Sequence, residues 1–357
     1  MVGPWGAPGE AGPRIPFPSA RDQCARSLPA GRQLLPDDRV RNPTHPRFHE
    51  LWQKSVASFH EACALFDPPV ERLEIPFEGG SLPGYFWRPD ASATSRPTYV
   101  AVGGNDTSGE EIFFGSGPAA IRRGYNYFTF EYPGHRGVVH RDPKSAKRAD
   151  YEKPFRVAFD RLGTLPGVDE RIALAGFSYG GYVATRIAIH ERRLQAVIPD
   201  SPIVDFPRAI LRGFMATLQS HAPPEAIDAT LERLLENAPV MRAFLHYTRW
   251  TWGVESFRAL LDLESFRSHV VSAELGEIRC PALALVSAEE GDELLRQAHQ
   301  FYEGIASARK RLHIFTLEED GSNDHCQIDN LGRGNQVVFD WLDELFQYRK
   351  AAVRPVS

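Results

Sequence analysis

The sequence predicts an α/β chain in which a mostly parallel, doubly wound sheet carries an inserted helical cap. Three observations carry this expectation. From residue 97 to residue 198, short β-branched and apolar runs alternate with stretches of helical spacing, the rhythm of a sheet with helices on both faces. After Pro202 that rhythm breaks: residues 205–275 read as helices only, and strands resume at 281–286 and 311–315. One strand, 171–175, runs straight into Gly176-Phe177-Ser178-Tyr179-Gly180-Gly181, which opens a helix. In such a sheet the ligand crevice lies at the carboxyl ends of the strands, where that turn falls.

Taken in order, residues 1–44 are rich in Gly, Pro and Arg without periodicity, which predicts a mobile or loosely packed arm. The first part of the core spans 45–204. It opens with an amphipathic helix over 45–66, with Phe48, Leu51, Trp52, Val56, Phe59 and Ala62 on one face and Pro68 and Pro69 as its stop. Two alternating runs, 71–77 and 82–88, flank Glu78-Gly79-Gly80-Ser81 and predict a hairpin. The strand 97–102 ends in Gly103-Gly104-Asn105-Asp106. A helix over 118–123, a strand over 125–131 and a helix over 151–162 lead to the 171–175 strand, its helix over 181–189, and a strand over 194–198. The cap is expected over 205–275. The second part of the core, 276–350, carries the last two strands and a closing helix over 335–348.

At 357 residues the chain suits one large domain with an insertion. Its 42% apolar and 24% charged residues are ordinary for a globular enzyme. A net charge of −5 without a basic tract argues against nucleic acid as a partner. No apolar run approaches the length of a membrane span, and the N-terminus lacks a secretory pattern, so a cytoplasmic location is expected. Cys24, Cys63, Cys280 and Cys326 are far apart and in no ligand spacing. Free thiols are expected, with no metal and no cofactor. The oligomeric state is open, a homodimer included.

The chemistry centres on Gly176-Phe177-Ser178-Tyr179-Gly180, a G-x-S-x-G pattern between strand and helix. Glycines two before and two after the serine let the turn close and leave its hydroxyl exposed. The pattern alone recurs by chance; its strand and helix give it weight. A serine needs a base to take its proton and an acid to orient that base. His313 lies within a strand and reads as structural. His325, in the loop between the last strand and the last helix, is the candidate base. The acid is sought three to six residues past the 281–286 strand, which allows Glu290 or Asp292; Asp292 is favoured, and Asp200 and Asp205 remain as alternatives. Each could equally be a solvated loop charge. Oxyanion donors are expected from the amide of Tyr179 and from the Gly104 and Asn105 stretch. Asp106, Glu110 and Glu111 read as anchors of that loop or as solvated charges.

The set VGGNDTSGEE, YPGHRG, GFSYGG, WTWG, IRCPALAL, DHCQ and FDWLDEL resembles one branch of the α/β-hydrolases. That branch contains 2,6-dihydroxypseudooxynicotine hydrolase, fungal heptaketide-shortening hydrolases and bacterial hydrolases that trim aromatic polyketides. The resemblance covers about residues 48–346. It implies a Ser-His-Asp triad, carried here by Ser178, His325 and Asp292, and in several members hydrolysis of a carbon–carbon bond next to a carbonyl. Two departures stand out: a short N-terminal helical part and an unusually acidic loop, SAEEGDELL. The aromatic-rich cap points to an aromatic or polyketide-like small molecule, with Phe214, Tyr247, Trp250 and Trp252 as candidate substrate contacts, although most such side chains simply pack. The same triad also serves esterases, thioesterases, exopeptidase-like hydrolases and acyltransferases.

Overall fold

The computed structural model describes residues 42–92, 94–211 and 223–348. Of the expected N-terminal arm only residues 42–44 fall within these, and Phe214 lies outside them. Helix α1 (Phe48–Cys63) precedes a hairpin of β1 (Glu71–Phe77) and β2 (Gly80–Trp87). There follow β3 (Arg96–Val102), α2 (Gly109–Arg123), β4 (Asn126–Phe130), α3 (Arg136–Arg141) and α4 (Glu152–Leu162). Next come β5 (Val168–Phe177), α5 (Tyr179–His190) and β6 (Leu194–Asp200).

Among the described residues the sheet has eight strands, the last two being β7 (Ala282–Ser287) and β8 (Lys310–Phe315), in the order β1-β2-β4-β3-β5-β6-β7-β8. The β1–β2 and β2–β4 pairings are antiparallel and the rest are parallel. Burial follows from this order. Inner strands such as β4 and β7 (Ala282–Ser287) are buried at every residue, because helices cover both faces of a parallel sheet. Edge strand β1 mostly alternates exposed and covered residues. Successive residues of a strand serve opposite layers: Val100, Leu174 and Val197 pack with α4 and α5, while Tyr99, Ala173 and Ile198 pack with α2 and α13 (Leu331–Phe346).

Helix α2 starts nine residues before the expected 118. Ser108 caps it: its hydroxyl accepts the Glu111 N–H at 3.3 Å while the Glu111 carboxylate accepts the Ser108 N–H at 3.3 Å. This reciprocal box fixes the start, and Pro118 is carried inside the helix.

Between β6 and β7 the described residues form helices: α6 (Phe206–Leu211), α7 (Ile227–Leu234), α8 (Pro239–Trp252), α9 (Phe257–Asp262) and α10 (Glu264–Arg267). Departing and returning segments are stitched together at its neck, where Phe206 N–H donates to the His269 carbonyl and Val271 N–H to the Val204 carbonyl. Phe206, Trp252, Phe257, Leu260 and Phe266 are buried there, continuous with the core under α5. After β7 come α11 (Asp292–Gly304), β8 (Lys310–Phe315), α12 (Leu317–Asp320) and α13. Among the described residues no helix is long and apolar enough to cross a membrane.

Candidate active site

Ser178 follows β5 directly and caps α5 with φ 57° and ψ −119°, a conformation that residues other than glycine rarely adopt. The turn is held by close backbone approach. A Cβ on Gly176 would stand 1.9 Å from the Gly180 carbonyl oxygen, and one on Gly180 would stand 2.6 Å from the Gly103 carbonyl oxygen. Only glycine fits either place. The Ser178 N–H donates to the Asp200 carbonyl at 2.5 Å, tying the turn to the end of β6.

That carbonyl also accepts the Cys326 thiol at 3.3 Å. The loop carrying His325 is thereby fastened to the serine turn, with Cys326 and Gln327 at φ 52° and 50° making the bend. His325 Nδ1 lies 2.8 Å from Glu290 Oε2, with the imidazole side chain 43% exposed and the carboxylate 1% exposed. Glu290 follows β7 by three residues, in a tight turn that Ser287 caps. Its Oε1 accepts the Ser287 N–H at 2.9 Å, and its Oε2 also accepts the Ser201 hydroxyl. Burial alone would raise the Glu290 carboxyl; His325, Ser201 and the Ser287 amide outweigh it and hold the group below the usual range. Burial would likewise lower His325, and the hydrogen bond to Glu290 with its charge lifts it above the ordinary value.

The histidine thus meets the alternative carboxylate rather than the favoured one. Asp292 is the exposed first residue of α11, beyond Gly291 at φ 87°. The serine at 287 and glutamate at 290 spell a capping box, a signal present in the sequence. Asp205, another alternative, sits at the neck, its carboxylate accepting the Arg208 N–H. Asp200 is buried beside Glu290; among the described residues its Oδ1 accepts the Gln327 amide at 3.2 Å and its Oδ2 has no partner. Burial, then the neighbouring Glu290 charge, push its carboxyl up to about 8. His313 pairs with Asp320 at 3.1 Å, away from this cluster of contacts.

The loop after β3 lies against the serine. A Cβ on Gly104 would stand 2.9 Å from Ser178 Cβ and 3.5 Å from its Oγ. The Gly103 carbonyl is held by the Tyr132 hydroxyl at 2.9 Å and faces His135 Nε2 at 3.3 Å. Tyr179, first residue of α5, presents its amide at a helix N-terminus beside Ser178. Asn105 is buried, its Nδ2 donating to Thr248 Oγ1 at 3.0 Å. The buried Arg136 guanidinium donates to the Asp106 carbonyl, the Glu111 carboxylate and the Tyr247 hydroxyl. Sequence reasoning did not single out Arg136, although it lies within YPGHRG.

The expected substrate contacts on α8 diverge. Trp250 packs edge-on against Phe48 of α1 at 4.9 Å and against His140 at 4.8 Å. Trp252 is 2% exposed, among Phe206, Phe266 and His269. Tyr247 is fully buried. Lys147, also buried, donates to Thr251 Oγ1 at 2.8 Å and lies over the Tyr179 ring; burial pushes its ammonium down to about 7. Among the described residues no three His, Cys, Asp or Glu side chains group to hold a metal ion.

Comparison with known proteins bears on the family and the fold. A hydrolase of Fusarium sp. is 28% identical over 330 residues, covering 86% of this chain and 77% of its own. The 20-hydroxy-prefusarin hydrolase of Gibberella moniliformis is 27% identical over 330 residues, covering 86% and 77%. The solved structure of 2,6-dihydroxy-pseudo-oxynicotine hydrolase shares the fold with a TM-score of 0.65 at 22% identity, covering 87% of this chain and 81% of that one. A family model described as the alpha/beta hydrolase family matches residues 112–329, more than half of the chain, and the protein belongs to that family.

Proposed function

We propose that the protein is a serine hydrolase in which Ser178 is the nucleophile, His325 the general base and Glu290 the acid that orients it. The supporting observation is the Asp200 carbonyl, which accepts from Ser178 and from Cys326 and so brings the serine turn and the histidine loop to one point. In this reading His325 takes the Ser178 proton as the oxygen attacks a carbonyl carbon. Negative charge develops on the carbonyl oxygen, met by the amides of Tyr179 and the Gly104–Asn105 loop. Glu290 keeps the Nδ1 proton in place and offsets the imidazolium charge.

The substrate reading follows the family resemblance and the relative named for 20-hydroxy-prefusarin. We infer an aromatic or polyketide-like compound of secondary metabolism, cleaved at a carbon–carbon bond next to the attacked carbonyl. The tetrahedral intermediate collapses by breaking that bond. Its electron pair departs as an enolate carbon, which takes the proton from His325. Water, deprotonated by His325, then hydrolyses the acyl-serine to a carboxylic acid and frees Ser178.

Two assays test this. A fluorophosphonate probe should label the wild type at Ser178 and leave Ser178→Ala unlabelled. An aryl β-diketone should be cleaved with release of a carboxylic acid. Labelling with turnover of p-nitrophenyl esters alone would keep the hydrolase and replace the carbon–carbon reading with an esterase. Absence of labelling would remove Ser178 as the nucleophile.

A further inference from the structure

Helix α8 of the inserted block is usually expected to shape the substrate pocket. Its contacts with the core point to a second task. Tyr247 and Thr248, consecutive on α8, reach two consecutive residues of the loop beside Ser178. Thr248 Oγ1 accepts the Asn105 side-chain amide at 3.0 Å, and the Tyr247 hydroxyl accepts from Arg136 at 3.3 Å while Arg136 also holds the Asp106 carbonyl. Thr248 donates its own proton back to the Phe244 carbonyl at 2.9 Å, so its hydroxyl is free only to accept. This fixes which end of the Asn105 amide faces it. One turn on, Thr251 repeats the arrangement: its hydroxyl donates to the Thr248 carbonyl and accepts from Lys147. One face of α8 thus offers the core a row of acceptors, and Asn105, Arg136 and Lys147 supply buried donors.

On its other side the loop 103–106 is held through the Gly103 carbonyl, which accepts the Tyr132 hydroxyl. Gly104 approaches Ser178 so closely that a small shift of the loop would move its amides relative to the reacting oxygen. Resting on the reading of this loop as part of the oxyanion hole, we propose that Thr248 is a positioning residue for catalysis. Acting through Asn105, it sets the oxyanion geometry, so the inserted block helps to complete the reactive site as well as cover it.

The test uses the full chain and a fluorophosphonate small enough to leave α8 untouched. The readout is the second-order rate constant for phosphonylation of Ser178, which depends on stabilising charge on the phosphoryl oxygen. Thr248→Val keeps the shape and loses the acceptor; Thr248→Ala loses it without adding bulk, should the valine variant fold poorly. Both should react about 10- to 100-fold more slowly than wild type, the range for a displaced oxyanion donor. Thr248→Ser should restore the rate. If the valine and alanine variants melt cooperatively and react within a factor of about two of wild type, Thr248 only fastens the block to the core and the inference is overturned. Equal slowing in the serine variant overturns it as well. A wild type that is never labelled at Ser178 removes the hydrolase reading and this inference with it, an outcome distinct from labelling that ignores Thr248.

Discussion

At the scale of single residues, the division of labour between two buried carboxyls follows from how many donors each receives. Glu290 accepts from the Ser287 amide, the Ser201 hydroxyl and His325, whereas among the described residues the Asp200 carboxylate accepts from Gln327 alone. Two adjacent carboxyls in a dry site do not both ionise readily, and the better-solvated one keeps the charge. Glu290→Gln should therefore cost about 10⁴-fold in kcat, because an amide cannot hold the required histidine tautomer, while Asp292→Asn should leave kcat nearly unchanged. Comparing the two rates on one ester checks this; a larger loss in Asp292→Asn would return the acid to Asp292, and equal, mild losses would move it to Asp200 or Asp205. Asp200 gives a second prediction. Its folded carboxyl is pushed up to about 8 against an ordinary 3.8, so between those values the native state holds a proton that the unfolded chain has lost. Stability from this group falls as pH rises through that window. Relative to wild type, Asp200→Asn should gain melting temperature between pH 5 and pH 8, by about 5 °C or more, and a gain that shrinks with rising pH would refute the assignment. Of the proposed site, Ser178 and His325 could be singled out in the sequence because a turn of glycines and a histidine after the last strand leave local traces. The carboxylate that meets His325 was half legible: distance from the strand admits both Glu290 and Asp292, and the choice between them rests on a cap hydrogen bond that only the serine at 287 hints at.

At the scale of elements, α2 shows where local signals mislead. The expected helix opened at Pro118, yet α2 carries Gly115, Gly117 and Pro118 inside it from its cap at Ser108. The reasons differ by position. A Cβ at 117 would stand 2.2 Å from the Phe113 ring, so that glycine makes room for an aromatic packed under the helix. At 115 nothing lies within 4 Å of the same atom, and only backbone freedom is lost there. Gly115→Ala should accordingly stabilise the protein by about 0.5–1 kcal/mol, and Gly117→Ala should destabilise it. Ser108→Ala removes an amide acceptor and should cost about 1 kcal/mol. Urea midpoints for the three variants give the order directly. An alanine at 115 that destabilised would mean that the helix is not continuous at that turn. The capping box was readable as serine followed three residues later by glutamate, but a contact between Phe113 and Gly117 becomes visible only once both lie on one helix.

At the scale of the whole molecule, the insertion was legible as a break in the alternation of strands and helices, and its wealth of aromatics could be counted. The fate of each ring could not be read, because it depends on partners far away in the chain. Trp250 meets Phe48 of α1 and His140 of α3, and His140 in turn stacks on Trp52 at 4.4 Å. Three elements remote in sequence share one aromatic seam. Burial, with nearby His49 and Arg136, pushes His140 down to about 3, so the seam carries no imidazolium charge there at neutral pH. Trp252 instead joins the neck of the insertion to the core beneath α5. Both tryptophans, on this geometry, hold elements together. Trp252→Ala should cost about 3–5 kcal/mol and lower the melting temperature. Trp250→Ala, being less buried, should cost less and loosen α1 from the insertion. In each variant kcat/KM for an aryl β-diketone and for a small acetate ester should fall together, leaving their ratio unchanged. A ring that touched the substrate would behave differently: its loss would change that ratio by roughly 10- to 200-fold, the worth of one apolar contact. A ratio that moved in Trp250→Ala while the melting temperature held would show that the seam opens onto the substrate. Selectivity would then be set where α1, α3 and the insertion meet, rather than at the neck beside Ser178.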